Sequence, residues 1–527
     1  MSAMSGSDAR TVALAAPHRE AVDAGERAIA AGGNALDAAL AAAAMLTVVY
    51  PHQCALGGDL IALVRTPDGE TISIVSAGAA PQDILSAADA WSTMPRQGPH
   101  AVTVPGIVAG WLAIERLGAR LPLRDALEAA ATVAENGTEV SPGLERAIDS
   151  RIDAVRADAG LSAVFAPGGR PLRATDVVRQ PALAATLRRL AEDPRSIYTG
   201  RVAAQLVAFL RAAGGTHTED DFAAHTAEVD AALALDAAGA RWYAAPPPSV
   251  GAVLLGLAST LDEGARTDGA ALLDAALRGV RARAEHLGDP RTAPVDVAAM
   301  LALGVDDALP SSAPEAPAQG DTVAITAADD EGWAVTLIQS VFHTFGSGLL
   351  DPETGIVLHN RGAAFTLDPA SPARLRPGSR PPHTLCPVIV DDASSTVIAG
   401  CQGGRAQPWI LSQLLPALRD PATPLADTLA VPRWLVGDVD LGQDRLSLVV
   451  EPGADPRVVA RAEATGLPVA RFAGPDDSAG HVQVIRRTPA AGSILLEAAS
   501  DPRADGAAIL ASAPAPASGE FHRKDPA

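Results

Sequence analysis

With 527 residues and a net charge of −21, the chain is long enough for two domains or one large layered domain, and its acidic surface argues against nucleic acid or anionic membrane as partner. Three widely spaced cysteines, Cys54, Cys386 and Cys401, make neither a CxxC pair nor a disulfide framework, which fits a reducing compartment. The opening MSAMSGSDARTVALAAPHRE lacks the basic start and apolar stretch of a secretory signal, and the apolar run Ala38 to Tyr50 is too short to span a bilayer, so a cytoplasmic location is expected.

Taken in chain order, Val12 to Ala16 reads as a strand and His18 to Ala31 as a helix stopped by Gly32-Gly33. Asn34 offers an N-cap to a second, buried helix that ends near Tyr50-Pro51. The loop PHQCALGGD leads into an apolar strand, Leu60 to Arg65, and the turn Pro67-Asp68-Gly69 returns a partner strand, Thr71 to Ser76. From Gly106 to about Leu303 the pattern is largely helical, punctuated at Ser141-Pro142-Gly143, Pro167-Gly168-Gly169, Gly214-Gly215 and Pro246-Pro247-Pro248. Leu309 to Gly320 is a Pro/Ser/Ala/Gly-rich connector between unlike halves. Beyond it, short alternating or apolar runs predict strands at Thr322–Ala328, Trp333–Ser340, Cys386–Val390, Thr396–Cys401, Leu446–Val450, His481–Arg486 and Ser493–Glu497, with a disordered tail from about Ser512. Helices first and strands later predict an α+β chain in which helical layers cover antiparallel sheets on both sides.

The segment GDTVAITAADDEGWAVTLIQS reads as a hairpin whose loop is Asp330-Glu331-Gly332, with Gly332 in the left-handed position. If Asp329 faces Trp333, Thr322 becomes the first strand residue and lies opposite Ser340, close enough for the two hydroxyls to touch unless a bulge shifts the ladder. A threonine there, just after a connector, can attack the carbonyl carbon of Asp321. Hydrolysis of the resulting ester would free the Thr322 α-amino group, whose reference pKa of roughly 7.7–8.0 lets it serve as base for its own hydroxyl. Further on, VIAGCQGGRAQPWILSQLL places Gly403 and Gly404 between a strand and a helix starting near Ala406, where backbone N–H groups can meet a developing oxyanion.

In the order GGNALDAALAAAA, PHQCALGGDL, VPGIVAGW, PPPSVGAVLLG, DTVAIT with GWAVTLIQS, FGSGLLDPETGIVLHN, RPPHTLCP, GCQGGR and ASDPRADG, the chain resembles the gamma-glutamyltranspeptidase family of self-processing Ntn-hydrolases over nearly its whole length. The resemblance implies a four-layered αββα fold and cleavage between Asp321 and Thr322 into a large segment, 1–321, and a small one, 322–527. It also implies a catalytic Thr322, a second hydroxyl from Ser340, and an oxyanion hole at Gly403 and Gly404. Members acting on glutathione hold the glutamyl ammonium with an acidic residue where this chain has Ala364. No arginine occurs in Gln82 to Ala88, where their carboxylate clamp falls, and His383-Thr384 replace their paired serines.

Arg361, Arg380 and Arg405 are the candidates to receive a substrate carboxylate instead, with Arg361 ranked first and a structural ion pair as the competing reading for each. The NRGxxF and RPxHT patterns resemble the branch containing cephalosporin acylases and oxamate amidohydrolase. The expected activity is therefore cleavage of a small amide, with hydrolysis or acyl transfer following. True gamma-glutamyl transfer and an uncleaved binding or scaffold protein are the alternatives. His52, His343, His359 and His383 lack metal-ligand spacing, Cys54 reads as a small buried residue, and no P-loop or dinucleotide motif occurs, so no cofactor or metal is implied. The expected partners are the small substrate and the two segments of one precursor, an arrangement compatible with a homodimer of αβ units.

Overall fold

The first two helices begin where the sequence supplies caps. His18 Nδ1 accepts the Glu20 N–H at the head of Arg19–Ala30. Asn34 and Asp37 close a reciprocal capping box at the head of Ala35–Val49, a helix buried on every side. Such all-round burial requires packing partners on both faces, and the computed structural model, which describes residues 10–261, 268–304, 320–438, 441–490 and 493–514, supplies them as stacked layers.

One sheet has seven strands, in the order Ala507–Ala513, Arg10–Ala16, Gly320–Asp329, Ala334–His343, Asp59–Arg65, Thr71–Ser76 and Glu228–Ala231. The other has six, in the order Ser493–Ser500, Val482–Ala490, Thr396–Cys401, Val388–Asp391, Ala240–Ala244 and Leu233–Ala237. Every pairing within both sheets is antiparallel. Ile61, Leu63, Val75 and Ile338 of the first sheet meet Ile389, Ile398 and Ile485 of the second in a dry seam, and the Thr336 hydroxyl donates across it to the Ala399 carbonyl at 3.0 Å. A larger apolar cluster packs Arg19–Ala30, Ala35–Val49, Ile107–Gly118 and Leu123–Asn136 on the outer side of the first sheet. Gly251–Ala258, Gly269–His286 and Gln407–Leu418 cover the outer side of the second. The fold is thus a four-layered αββα sandwich, in line with the expected architecture. Among the described residues no helix is long and apolar enough to cross a membrane.

Three expectations need correction. The stretch between Gly106 and Leu303 is largely helical as expected, but it also holds strands that were not anticipated: Glu228–Ala231, Leu233–Ala237 and Ala240–Ala244, at or next to sheet edges. In EVDAALALDA the weak β-preference of alanine conceals an alternation that the fold uses. Nor is Thr322 the first residue of its strand, because the ladder continues to Asp321 and Gly320, paired with Phe342 and His343. At the C-terminal end, Ser512 and Ala513 belong to an edge strand paired with Thr11 and Arg10, and the rest of the expected tail, from 515, lies outside the described residues. Apart from Gly320, the expected connector lies outside the described residues. Each sheet combines strands from both sides of Thr322, so segments 1–321 and 322–514 build one common core.

Candidate active site

The predicted turn forms as expected: Asp329 N–H donates to the Trp333 carbonyl at 3.0 Å, and Gly332 takes φ +116. Regular pairing follows from Ala334↔Ala328 to Gln339↔Val323 and then breaks, resuming at Phe342↔Asp321. Two residues, Ser340 and Val341, therefore stand opposite Thr322 alone, a bulge of the kind that re-aims side chains. The hydroxyls still meet, with Thr322 Oγ1 3.0 Å from Ser340 Oγ. Ser340 Oγ also accepts the Phe342 N–H at 2.8 Å, so the bulge itself holds the serine hydroxyl in place. Phe342 sits at φ +77, a costly conformation for a bulky side chain. Its ring carries the Arg361 guanidinium, whose Cζ lies 3.8 Å from the ring centroid.

Arg361 is buried, and it donates to Thr384 Oγ1 at 3.2 Å and to the Pro382 carbonyl. A continuous line of contacts thus runs from Thr322 through Ser340, Phe342 and Arg361 to Thr384. His383, beside Thr384, points the other way, its Nε2 3.2 Å from Asp59 Oδ2. Arg380 is not part of this line. Its guanidinium is committed to Asp289, with Nη2 to Oδ1 at 2.9 Å, and to Glu228 Oε2 at 2.7 Å from Nη1. That buried ion pair is the competing structural reading for this arginine.

The glycine turn closes the other side. Gly403 and Gly404 have φ +148 and +52, and a Cβ on Gly403 would lie 2.4 Å from Ile410 Cδ1, so a side chain is disfavoured by both backbone and space. The short turn Gly404–Ala406 packs against the Thr322 strand and runs into the helix Gln407–Leu418. This turn separates two cavities. One of about 760 Å3 is lined by Gln402, Gly403 and Gly404 together with His52, Arg146 and Asp477. The other, of about 280 Å3, is lined by Arg405, Ala364, Phe365 and Pro382. Arg405 Nη1 lies 3.7 Å from Asp438 Oδ1 at the rim of the second.

Burial shapes the ionisable groups nearby. It lowers His52 to about 3 and, with the Arg361 charge as the next cause, His383 to about 4. Burial also pushes the Cys54 thiol up to about 12, which suits a packed thiol and not a nucleophile. Among the described residues no cluster of three or more His, Cys, Asp or Glu is placed to hold a metal ion.

Asp59 and Phe342 are the site residues that sequence reasoning did not single out. Asp59 was visible as a lone carboxylate after Gly57-Gly58 at the head of an otherwise apolar strand, a signal of a buried charge with a task. Nothing in the sequence marked Phe342, since its role depends on the bulge.

Comparison with known proteins places the chain in a family. A family model described as gamma-glutamyltranspeptidase matches residues 21–511. The oxamate amidohydrolase proenzyme of Klebsiella pneumoniae is 36% identical over 518 residues, covering 94% of this chain and 97% of that protein. The glutathione hydrolase-like YwrD proenzyme of Bacillus subtilis is 30% identical, with 94% and 98% covered. Among solved structures, the cephalosporin acylase from Bacillus halodurans superposes with a TM-score of 0.81 at 28% identity, over 97% of this chain and 98% of that one.

Proposed function

Since the chain belongs to the gamma-glutamyltranspeptidase family, on the side of its oxamate-amidohydrolase and acylase members, we propose that it is a precursor that cleaves itself between Asp321 and Thr322 and then uses Thr322 to break the amide bond of a small, carboxylate-bearing substrate. The observation that carries this reading is the 3.0 Å contact between Thr322 Oγ1 and Ser340 Oγ beside the Gly403-Gly404 turn.

In the precursor the Thr322 hydroxyl attacks the Asp321 carbonyl carbon, the peptide nitrogen leaves as an amine, and water hydrolyses the ester. The freed α-amino group then sits on the same residue as the nucleophile. With a reference pKa of roughly 7.7–8.0 it is partly neutral near pH 7 and can take the hydroxyl proton as Oγ1 attacks the substrate carbonyl. Threonine's branched Cβ restricts χ1 and so keeps amine and hydroxyl in a fixed relation. Negative charge on the former carbonyl oxygen is met by the N–H groups of the glycine turn, whose positive φ angles favour glycine at both positions. The leaving amine departs with the proton, and water or a second amine takes the acyl group from Thr322.

Features of the smaller cavity support a substrate other than a gamma-glutamyl compound. Ala364 offers a methyl where the glutathione-acting members have a carboxylate, and the same cavity is lined by Arg283 and Arg405 together with Asp368 and Asp438. Mass spectrometry of purified protein is expected to give two fragments meeting at Asp321/Thr322. In a screen of oxamate, an N-acyl cephalosporin and glutathione, turnover of one of the first two is expected to exceed that of glutathione. An intact single chain with activity would overturn the nucleophile, and preferred turnover of glutathione would overturn the substrate class.

A further inference from the structure

The 760 Å3 cavity meets the catalytic machinery on one side and solvent on the other. Gly403 and Gly404 line it, and so do His52, Gln53 and Thr344 from the side of the bulge. The loop carrying His52 and Gln53 is tied to that bulge: the His52 carbonyl accepts the Phe345 N–H at 3.0 Å, and the Gln53 carbonyl accepts the Val341 N–H at 3.0 Å. Val341 follows Ser340, whose hydroxyl meets Thr322, so the cavity wall is anchored one residue away from the hydroxyl pair. On the open side stands the ion pair of Arg146 with Asp477, whose side chains keep 52% and 35% of their surface exposed.

Charge on these walls is already matched. Asp477 also meets His481 Nε2 at 3.2 Å, Arg503 is held by Glu451 and Asp501, and Asp505 accepts the Gly143 N–H at 2.9 Å. His52 is neutral near pH 7, because burial lowers it to about 3. What stays unmet is uncharged. His52 and Gln53 are only 1% and 4% exposed, and among the described residues neither His52 Nδ1 nor Gln53 Oε1 has a hydrogen-bond partner. Buried polar atoms on a cavity wall call for a partner inside the cavity. A neutral imidazole beside a carboxamide suits a neutral group that both donates and accepts, such as an amide, whereas an added charge would find no counter-charge left over.

The cavities on the two sides of the glycine turn differ more than twofold in volume, about 760 against about 280 Å3. The smaller one, with Arg283 and Arg405 on its walls, suits a compact carboxylate-bearing acyl group. We propose that the turn divides the substrate at its scissile bond, the acyl part lying in the smaller cavity and the amine part in the larger, where His52 and Gln53 hold a neutral amide carried by that amine. As the C–N bond breaks, the amine takes the proton that came from the Thr322 hydroxyl and leaves through the larger cavity. The preferred substrates are then N-substituted amides with a small acyl group, and not simple primary amides. This division rests on Thr322 being the nucleophile, but concerns different residues.

Two pairs of compounds test it: oxamate against N-oxalylglycinamide, and glutarate monoamide against N-glutarylglycinamide. Each pair shares an acyl group and differs only in the amine. For cleaved wild-type protein, kcat/KM of the glycinamide member is expected to exceed that of the simple amide about tenfold or more in at least one pair. That ratio should fall toward one in Gln53→Leu and in His52→Phe, which keeps a ring to pack on Tyr50, 4.3 Å away between centroids, but removes the nitrogens. The ratio does not depend on how much protein is folded, and comparing it between variants cancels the intrinsic reactivity of the compounds. Turnover of the simple amides with a wild-type ratio at or below one, or a ratio unchanged in both variants, leaves water as the partner of His52 and Gln53 and overturns the division while sparing the nucleophile. Cleaved protein that turns over none of the four compounds sinks the small-acyl assignment and the division with it. An uncleaved, inactive chain sinks the nucleophile as well.

Discussion

At its turn, the hairpin running from Gly320 to His343 keeps a regular ladder and satisfies backbone with side chain: Asp329 accepts the N–H groups of Glu331, Trp333 and Ala35 at 3.0–3.1 Å. At its open end the same hairpin loses register after Gln339, and side chain meets side chain, Thr322 on Ser340 and Arg361 on Phe342. Thr322, Ser340 and Phe342 at the open end are buried, whereas at the turn Asp329 is buried but Asp330 and Glu331 are exposed, and both ends are rich in polar groups. The turn uses them to close donors that folding leaves open, which yields rigidity. The open end accepts a bulge and a residue at positive φ, and so brings a hydroxyl pair, an arginine and a glycine turn together. A strained segment of this kind persists because the regular part of the hairpin anchors it.

Substitutions at the two ends should separate these roles. The largest effect is expected for Thr322→Ala, which should leave a single chain on denaturing electrophoresis and abolish turnover. Next comes Gly403→Ala: the added methyl meets Ile410 Cδ1 at 2.4 Å and the backbone sits at φ +148, so kcat should fall about a hundredfold as the oxyanion donors move. Ser340→Ala removes the hydroxyl that Thr322 and the Phe342 N–H share, and stopped time courses should show self-cleavage slowed by about tenfold.

The smallest effect on chemistry, and the largest on pH dependence, belongs to the turn. Burial raises the Asp329 carboxyl from 3.8 to about 6, against the hydrogen bonds from Ala35 and Trp333. A raised folded-state value means that the contribution of Asp329 is fully present below the unfolded value and is lost as pH rises through about 6. Relative to Asp329→Asn, wild-type protein should therefore lose up to about 3 kcal/mol between acid and neutral pH, read from denaturant midpoints. Turnover of folded Asp329→Asn protein should stay within about twofold of wild type. A loss comparable to that of Ser340→Ala would erase the contrast between the two ends.

Much of this architecture was legible before any coordinates. Asn34 announced an N-cap, Pro67-Asp68-Gly69 announced a hairpin, and the strand Thr71–Ser76 lies where the turn returned it. These are local signals, set by backbone chemistry within a few residues. Glu228–Ala244 escaped because alanine carries little strand preference, and those strands form by pairing with Thr71–Ser76 and Val388–Asp391. Arg380 could not be ranked from sequence, since its partners Asp289 and Glu228 lie far away in the chain.

The sequence by itself determined the hairpin, the position of Thr322 opposite Ser340, and the Gly403-Gly404 turn, because each follows from turn chemistry and the twofold alternation of a strand. Only the tertiary structure decided that the hydroxyls meet across a bulge, that Arg361 rests on Phe342, and that Asp59 is held by His359 and His383. The Asp59 contacts join residues hundreds of positions apart, and the other two, though close in sequence, depend on a bulge and on loops pressed together by burial, which no local pattern encodes.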